Sequence, residues 1–519
     1  MKKFLNRLLF QHAQKKLEHT SQHIETPPLQ QERLTGEIQN DIQTLKALLG
    51  NSFDLKIVRF TTEPYAYDGS FLFIEELTDT AVVHEQLKAI RSLSETTYLS
   101  ELTPETLRKE VLTISESSII DTLHQCTSHL LQGNALILSN KFKDGIILNS
   151  RKMPQRSIQA PSSESVVRGP RDGFVETLLL NIGLVRKRLK DPDLQLDYFK
   201  VGERSKTDVV VMSINGLTNP KIVQEVKNRL NKIDIDSVQE SGVIEQLIEE
   251  NSLSPFPQVQ VTERPDTVAG SLAEGRVAIL VDHTPFVLIA PLTINSFYQS
   301  AEDYYERWVY SSLIRILRIG AALIALCLPS IYVALISYHQ GLIPTDLVIS
   351  LAGSREGVPF PSIVEALLME VTIEILREAG IRLPNPVGQA VGIVGGLVIG
   401  ESAVSAGLVS PMMVIVVALT AISSFALPQY YVGVSIRILR FPLMVSAALL
   451  GLYGIVIALI LLSIHLIRLQ SFGVYYLEPL VPYSPKGWKD MFIRTQTKRL
   501  KSRPDMLHPQ DKKRMDTKN

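Results

Sequence analysis

The chain has little cysteine, no net charge and few recognisable catalytic motifs, and each shortage excludes a class of protein. Two cysteines in 519 residues, Cys126 and Cys327, argue against a disulfide framework. Lysine plus arginine equals aspartate plus glutamate at 53 each, which argues against a nucleic-acid-binding protein. The start MKKFLNRLLF lacks a small-residue cleavage site, so we predict no signal peptide and expect the soluble part to stay in the cytosol.

The motifs of the common enzyme classes are also missing. There is no Walker phosphate loop, no dinucleotide glycine fingerprint, and no HExxH or comparable ligand set among the ten histidines. Neither Ser165 nor Ser205 lies in a nucleophile elbow. Asp282 and His283 are adjacent on a predicted tight turn, which favours a hairpin over a catalytic pair. We therefore predict no catalytic residues, no metal site, no cofactor and no enzyme activity.

Charge and hydropathy are segregated along the chain. Residues 1–318 are rich in charge, residues 319–467 are mostly apolar, and residues 486–519 hold eleven lysines or arginines against four aspartates. This pattern predicts a soluble module, a membrane module and a basic tail.

The fold class predicted is a membrane protein with an N-terminal cytosolic α/β region of two mixed-sheet subdomains, followed by an α-helical transmembrane domain. The short links 202–208 and 282–285 predict hairpins within the sheets. Strands are predicted at 135–139 and 277–281, and a helix over 117–131. The predicted pieces are a poorly ordered N-terminus (1–30), subdomain 1 (31–149), a linker (150–171), subdomain 2 (172–300), an interfacial helix (301–318), the transmembrane domain (319–469) and a basic cytosolic tail (470–519).

Four apolar runs are long enough to cross a bilayer, which takes about 20 residues. They are Ile319–His339, Val387–Gly407, Met412–Val432 and Leu443–Leu466. Cations before the first run and after the last favour cytoplasmic positions for both ends, and an even number of spans satisfies this. That assignment places Arg437 and Arg440 on the outer side, against the charge rule.

A glycine ladder marks the second of these runs. Small residues recur on one helical stripe, a spacing that lets neighbouring helices approach closely in lipid. The predicted packing seam is Gly388, Gly392, Gly396, Gly400, Ala403 and Gly407. The run has one ionisable residue, Glu401, and an oligomer would turn it into an acidic ring of the kind expected at a cation-selective constriction. The alternative is a helix-end residue at the aqueous interface.

An acidic helix is predicted over 361–380. Carboxylates recur at helical spacing and must face water, a cation or basic partner groups. They are Glu365, Glu370, Glu374 and Glu378. A re-entrant or interfacial amphipathic helix fits this pattern better than a full span. A surface helix with a solvated acidic face and a pore-associated helix remain equally open.

Three stretches carry a resemblance to a known family. They are DGFVETLLLNIGLVRKRLKDPDL at 172–194, the segment 256–308 beginning FPQVQVTERPDTVAGSLAEGRVAILVDHTPF, and the segment 354–411 beginning SREGVPFPSIVEALLMEVTIEILREAG. The chain resembles the A subunit of GerA-type spore germinant receptors from about residue 40 to residue 490.

The resemblance implies a location in the spore inner membrane, with both termini on the cytoplasmic (spore core) side. It implies a complex with a transporter-like B subunit that senses nutrient and a lipoprotein C subunit. It also implies that A subunits oligomerise, as pentamers, into a nutrient-gated channel for monovalent cations.

The functional hypothesis is a channel-forming receptor subunit in contact with membrane lipid. Val394, Leu397 and Val398 are candidates for an apolar constriction that dewets when closed, with Glu401 beside them. Two alternatives stay open: a structural scaffold that holds the sensing subunit, and a secondary transporter.

Overall fold

The computed structural model describes most of the chain and divides it into two compact units. The first unit is Met1–Met153 and the second is Pro154–Asn519. The described residues are 32–62, 67–92, 103–112, 116–152, 160–161, 164, 166–383, 395–396, 398–484 and 487–515. The predicted N-terminal segment 1–30 lies outside them.

The first unit is an α/β subdomain built on one five-stranded sheet. Its main elements are α1 (Ile38–Leu48), β1 (Leu55–Thr62), β2 (Tyr67–Ile74), α2 (Thr80–Arg91), β3 (Ser117–Ile120), α3 (Leu123–Leu131), β4 (Ala135–Ser139) and β5 (Gly145–Leu148). The strand order is β1-β2-β4-β5-β3, and every described pair is antiparallel where a mixed sheet was expected.

Both faces of this sheet are covered, because successive strand residues point to opposite sides. Leu72 and Leu136 pack in one core cluster with residues of α1 and α3. Phe71 and Ile137 belong to a second cluster with residues of α2. The result is a sheet between two helical layers.

The helix predicted over 117–131 is wrong in its first part. Ser117–Ile120 is an edge strand paired with β5, and α3 begins only at Leu123. The Thr122 side chain caps that helix by accepting a hydrogen bond from the Gln125 backbone N–H. The cap residue thus separates a strand from a helix that share one stretch of sequence.

The second unit begins with another α/β subdomain, here called subdomain 2. Its elements are α4 (Leu178–Arg188), β6 (Leu194–Val201), β7 (Thr207–Ile214), α5 (Pro220–Asn231), α6 (Ser241–Ile248), β8 (Gln260–Thr262), α7 (Pro265–Glu274), β9 (Val277–Val281) and β10 (Val287–Ala290). The order is β6-β7-β9-β10-β8, again with antiparallel pairs only among the described strands. The hairpins predicted at 202–208 and 282–285 are confirmed.

The two subdomains share one plan. In each, the strand order is first, second, fourth, fifth, third, and the helices fall at corresponding places in the chain. In subdomain 2, α5 and α6 pack on one face of the sheet, and α4 and α7 pack together on β9 from the other side. The same chain path is therefore used twice.

Two glycines in subdomain 2 have the same kind of backbone conformation, but only one of them has room for a side chain. Both have positive φ, +92° at Gly202 and +70° at Gly216. A Cβ at Gly216 would meet nothing within 4 Å, whereas at Gly202 it would overlap the Ser205 hydroxyl. That hydroxyl is held by hydrogen bonds from Thr207 and the Val238 backbone N–H, so it cannot easily move away.

We expect Gly216→Ala to cost about 1–2 kcal/mol, the usual penalty for a side chain in the left-handed region. Gly202→Ala should cost about 1–3 kcal/mol more, because it adds overpacking to the same strain. Urea unfolding of the full chain, followed by fluorescence of Trp308 and Trp488, reports on the second unit, which holds both tryptophans. Equal costs for the two variants would contradict the prediction.

A block of helices follows subdomain 2, and we call residues 308–468 the helical block. Its described helices are α8 (Trp308–Ser337), α9 (Thr345–Arg355), α10 (Ser362–Arg382), α11 (Pro411–Phe425), α12 (Tyr430–Leu450) and α13 (Leu452–Arg468). Residues 395–396 and 398–405 are also helical, and we call them the glycine helix. Two of these helices, α8 and α12, are long and apolar enough to cross a membrane.

The helix boundaries differ from the predicted spans in three places. The predicted interfacial helix 301–318 is not separate, because α8 runs unbroken from Trp308. The predicted span Met412–Val432 is broken after Phe425, and Leu443–Leu466 is broken at Gly451, which has φ +62°. Apolar composition is continuous across Gly451, so hydropathy alone does not reveal that break, whereas Pro428 and Gln429 mark the other one in the sequence.

Several helices of the block meet subdomain 2 at one end, which we call the subdomain end. The Ser435 hydroxyl of α12 donates to the Pro255 carbonyl at 2.5 Å. At the end of α13, His465 Nε2 lies 2.9 Å from the Ser254 hydroxyl. The start of α8 joins subdomain 2 through the chain itself.

The opposite end of the block is the distal end. There the Tyr338 hydroxyl, just after α8, donates to the Ala448 carbonyl of α12 at 2.6 Å. Ser337 of α8 contacts Ser362 at the start of α10, with their hydroxyl oxygens 2.8 Å apart. Helix α10 therefore starts at the distal end.

The C-terminal segment returns to subdomain 2. Strands β11 (Gln470–Ser471) and β12 (Val474–Tyr475) form a small hairpin, and Phe472 and Val474 join the core of the subdomain. Further on, Arg503 donates to the Ala273 carbonyl at 2.9 Å. The tail predicted as a basic extension thus packs on the subdomain over much of its described length.

Candidate functional site

The described part of the glycine helix has one face packed on the block. A Cβ at Gly400 would lie 3.6 Å from Val414 of α11, and Ala403 belongs to the buried core of the block. Gly396 faces open space within this one chain. Gly407 lies beyond the helix end at φ +66°, so it ends the helix rather than extending its stripe.

The opposite face of the glycine helix is exposed. Val398, Glu401, Ser402 and Ser405 are all exposed, and at 100° per residue they fall on one stripe. We call these four residues the polar stripe. Among the described residues, Glu401 has no ion-pair or hydrogen-bond partner. Val394, Leu397, Gly388 and Gly392 lie outside the described residues.

Helix α10 is buried mainly in its first half, and its residues from Val371 onward are half-buried or exposed in this one chain. It packs against α8, α11 and α12, and it runs from the distal end to the level where Arg377 donates to Ser424 near the end of α11 at 3.3 Å. At about 1.5 Å per residue, its 21 residues span about 30 Å. Helix α10 thus traverses the helical block.

The first acid of α10 is buried at the distal end. Arg355 donates to Glu365 Oε1 at 2.7 Å, and Glu365 Oε2 accepts the Ser410 backbone N–H at 2.8 Å. The Ser410 hydroxyl lies 3.2 Å from that of Tyr332 in α8. Glu365 therefore joins α9, α10 and the start of α11 at one point.

The second acid forms an ion pair in the middle of the block. Glu370 of α10 and Arg440 of α12 are in direct contact, and they are 1% and 2% exposed. The sequence analysis placed Arg437 and Arg440 on the outer side. Arg440 is instead buried in this ion pair at the middle of α12, and Arg437, nearer the subdomain end, stacks on Tyr430.

The last two acids are more exposed and have partners on their own helix. Arg377 donates to Glu374 at 3.0 Å and also stacks on the Phe425 ring at 4.9 Å. Glu378 pairs with Arg382 near the exposed end of the helix. All four predicted acids therefore have an arginine partner, and Glu374 and Glu378 are also open to solvent in this one chain.

Sequence reasoning missed the arginine partners Arg355 and Arg440. A signal was present for Arg440, because an arginine inside an apolar run calls for a partner acid, and α10 is the nearby source of such acids. No local signal identifies Arg355, since its contact with Glu365 depends on how α9 folds back.

Comparison with known proteins places the sequence in a family. The family model described as Bacillus/Clostridium GerA spore germination protein matches residues 43–506. The chain belongs to this GerA family.

Several known proteins are similar to this chain over most of their length. Spore germination protein GerLA of Bacillus cereus is 45% identical over 484 residues, covering 92% of this chain and 97% of that protein. Spore germination protein A1 of Bacillus subtilis is 45% identical over 428 residues, covering 82% and 88%. The uncharacterized membrane protein YfkQ of Bacillus subtilis is 48% identical over 396 residues, covering 76% and 77%.

A solved structure is also similar to part of the chain. It is the N-terminal domain of the A subunit of the Bacillus megaterium spore germinant receptor GerK3, 33% identical to this chain. The alignment covers 50% of this chain and 96% of that one, with a TM-score of 0.41.

In this GerA-family chain a second charge cluster holds α8 to the C-terminal tail. Arg315 of α8 is fully buried and donates to Asp303 at 2.8 Å and to Asp490 at 3.0 Å. Arg318 also binds Asp303 at 2.8 Å. The Tyr304 hydroxyl donates to Asp490 at 2.6 Å, and the buried ring has its pKa raised by loss of solvent. The cluster fixes the entry of α8 into the helical block.

Proposed function

We propose that this chain is the channel-forming subunit of a nutrient-responsive spore germination receptor. In this proposal it oligomerises in the spore inner membrane, as pentamers, and forms a ligand-gated channel for monovalent cations that starts germination. Its partners are a transporter-like B subunit that senses nutrient and a lipoprotein C subunit. Membership of the GerA family supports the receptor role, and the polar stripe of the glycine helix supports the channel role.

The path of the helices supports a multi-pass arrangement with both ends on one side. Helix α8 leaves from the subdomain end and α13 returns to it, so the number of crossings is even. Between them, α10 and the glycine helix form a further pair within the depth of the block. The proposal needs an even number of crossings, such as the four that the sequence predicts, with the subdomain end facing the cytoplasm.

The polar stripe is the observation that carries the channel proposal. A glutamate and two serines on the outer face of a helix in an apolar block are expensive to place against lipid. On the other side of the same helix, Gly400 and Ala403 pack against the block. Turning the stripe towards the axis of an oligomer gives Glu401 water and cations instead of hydrocarbon.

The proposed gate lies on the same helix. Val398 shares the stripe with Glu401, one turn away, and Val394 and Leu397 precede it in the sequence. A ring of such apolar side chains closes a pore by excluding water, and a small rotation of the helix replaces it with the serines. Nutrient binding to the B subunit shifts the equilibrium between the closed and the open pore. The free energy of that shift cannot exceed the difference between the nutrient's binding free energies for the two states.

Glu401→Gln tests the proposal. Loss of a ring of carboxylates should lower the preference for potassium over chloride by about tenfold, equivalent to about 1.4 kcal/mol. The measurement is ion flux from vesicles holding the assembled complex, after nutrient addition. Glu378→Gln is the matched control, since Glu378 lies in the same block and pairs with Arg382 at its exposed end.

Unchanged selectivity in Glu401→Gln at equal assembly would contradict the pore assignment and favour a scaffold role. Flux that saturates with substrate and is coupled to a second ion would favour a secondary transporter.

A further inference from the structure

A cavity lies at the subdomain end of the second unit, where four parts of the chain meet. Its volume is about 590 Å³, within the range of small-molecule sites. Helix α7 of subdomain 2, the segment 296–305, the loop 425–429 between α11 and α12, and the tail all contribute to its walls. Neither the polar stripe nor the acids of α10 belong to it.

Charged side chains line this cavity, with a small excess of cations. The arginines are Arg264, Arg276, Arg318, Arg494 and Arg514, and the acids are Glu164, Asp266, Glu274 and Glu302.

Most of the acids are already occupied. Asp266 binds Arg264 at 2.7 Å, and the Glu302 carboxylate accepts the backbone N–H groups of Val167 and Arg168 at 3.0 and 3.3 Å. Arg318 is bound to Asp303, outside the cavity wall. Asp266, Glu302, Arg264 and Arg318 therefore already have partners. The other arginines that line the cavity are Arg276, Arg494 and Arg514.

Arg276 is poorly compensated for a buried cation. It is 3% exposed, and its Nη1 donates to the Pro291 carbonyl and the Ser296 hydroxyl, while its Nε makes no hydrogen bond. The Nε lies 3.9 Å from Glu274 Oε2, beyond hydrogen-bond distance, and Glu274 Oε1 lies 3.8 Å from Arg514, so one carboxylate is shared between two arginines. Burial lowers the pKa of Arg276, as expected where the charge has too little opposite charge nearby.

Arg494 of the tail is in a similar position. It is 4% exposed and donates to the Thr495 carbonyl and the Thr497 hydroxyl, and its Nε also makes no hydrogen bond. It pairs with no carboxylate among the described residues, and it stacks on the Tyr304 ring at 5.1 Å. Two buried guanidinium groups with spare donors thus line one cavity.

We propose that this cavity binds a phosphate-bearing ligand through Arg276 and Arg494. Guanidinium groups match phosphate oxygens with paired N–H donors, and a buried cation gains most from such a partner. The volume exceeds that of a bare phosphate, so the ligand carries a further group. The cavity is lined both by the loop 425–429 of the apolar helical block and by residues of subdomain 2. The phosphate can therefore come either from a lipid headgroup or from a soluble phosphate ester.

Glu164 does not oppose this assignment at neutral pH or below. Burial raises the pKa of its carboxyl to about 7, so a large fraction of the group is uncharged there. A bound ligand would contact α7, the loop 425–429 and the tail together. Its occupancy would therefore couple subdomain 2 to the helical block.

The test uses the full chain in neutral detergent, titrated by calorimetry with glycerol 3-phosphate. In parallel, the chain is reconstituted and lipid selectivity is measured in vesicles of phosphatidylcholine with or without phosphatidylglycerol. Arg494→Gln should weaken binding of the phosphate probe by about 10- to 100-fold, as expected for loss of a charge-assisted hydrogen-bonding group. Arg204→Gln should leave binding unchanged, because Arg204 is an exposed arginine in the turn between β6 and β7 and does not line the cavity.

Gly270→Leu is a second variant that keeps every charge. Gly270 lies in α7, lines the cavity, and has open space where a Cβ would be placed. The leucine should fill the cavity and block binding while the helix stays intact, so loss of binding here does not reflect misfolding caused by loss of an arginine.

Binding of glycerol 3-phosphate that is lost in both variants supports a soluble phosphate ester as ligand. Selectivity for phosphatidylglycerol, lost in both variants and with no binding of the soluble probe, supports a lipid headgroup. The proposal is overturned if the wild-type chain recognises neither probe, or if Gly270→Leu binds like wild type.

Discussion

Replacing Arg440 with methionine is expected to destabilise the helical block by about 3–5 kcal/mol, the cost of leaving one charge of a buried pair without its partner. Glu370 would remain buried between α10 and α12, and one of its oxygens already has no hydrogen bond. Replacing both partners, in Glu370→Leu with Arg440→Met, should recover most of the loss, because well-packed apolar side chains often substitute for a buried pair without net cost.

The two cysteines make this measurement specific to the block. Cys126 belongs to the first unit and Cys327 to α8, so Cys126→Ser leaves one thiol that reports on the block alone. Labelling of Cys327 by a thiol-reactive dye during heating gives the unfolding midpoint. The matched control is Arg382→Met, which breaks an exposed pair and should change stability by less than about 1 kcal/mol. If Arg440→Met and Arg382→Met had the same unfolding midpoint, the conclusion would be that the buried pair does not stabilise the block.

Arg315→Met is expected to release the C-terminal tail from α8. The arginine is fully buried, and its removal leaves Asp490 with only the Tyr304 hydroxyl as a donor from this cluster. Asp303 retains Arg318, so the start of α8 keeps part of its support. We expect a loss of about 3 kcal/mol, which raises the open population of the tail by about a hundredfold.

Limited trypsin digestion measures this release, because cleavage follows the population of the open form when opening is fast. The expected sites are Lys498, Arg499 and Lys501, and mass spectrometry identifies the products. Lys200→Met provides the control, since Lys200 forms an exposed pair with Asp208 on subdomain 2. Tail cleavage at the wild-type rate in Arg315→Met would show that the tail is held by its other contacts.

The sheet cores follow closely from sequence. The strands predicted at 135–139 and 277–281 have the predicted bounds, because five-residue apolar runs between turns have few other stable conformations. Strand β3 was not predicted because it has only four residues, two of them serines, and lies at the edge of the sheet. Its pairing with β5 depends on contacts that its own sequence does not encode.

The helical block is predicted less completely, for a physical reason. Hydropathy measures how apolar a segment is, and it does not register a turn inside an apolar run, such as Gly451. The same limit applies to the candidate site. The helical period places Val398 and Glu401 on one stripe, but the contacts of Glu365 with Arg355 and of Glu370 with Arg440 arise only from tertiary packing.

The way the block is attached to subdomain 2 has a mechanical consequence. The start of α8, the start of α12 and the end of α13 are all fastened to the subdomain, by the chain or by hydrogen bonds. A rotation of the subdomain would therefore act on three helix ends at once. The glycine helix has no such attachment among its described residues: Gly400 lies against α11, and Ala403 lies in the core of the block. A rotation of the subdomain would therefore reach the glycine helix only through the other helices of the block.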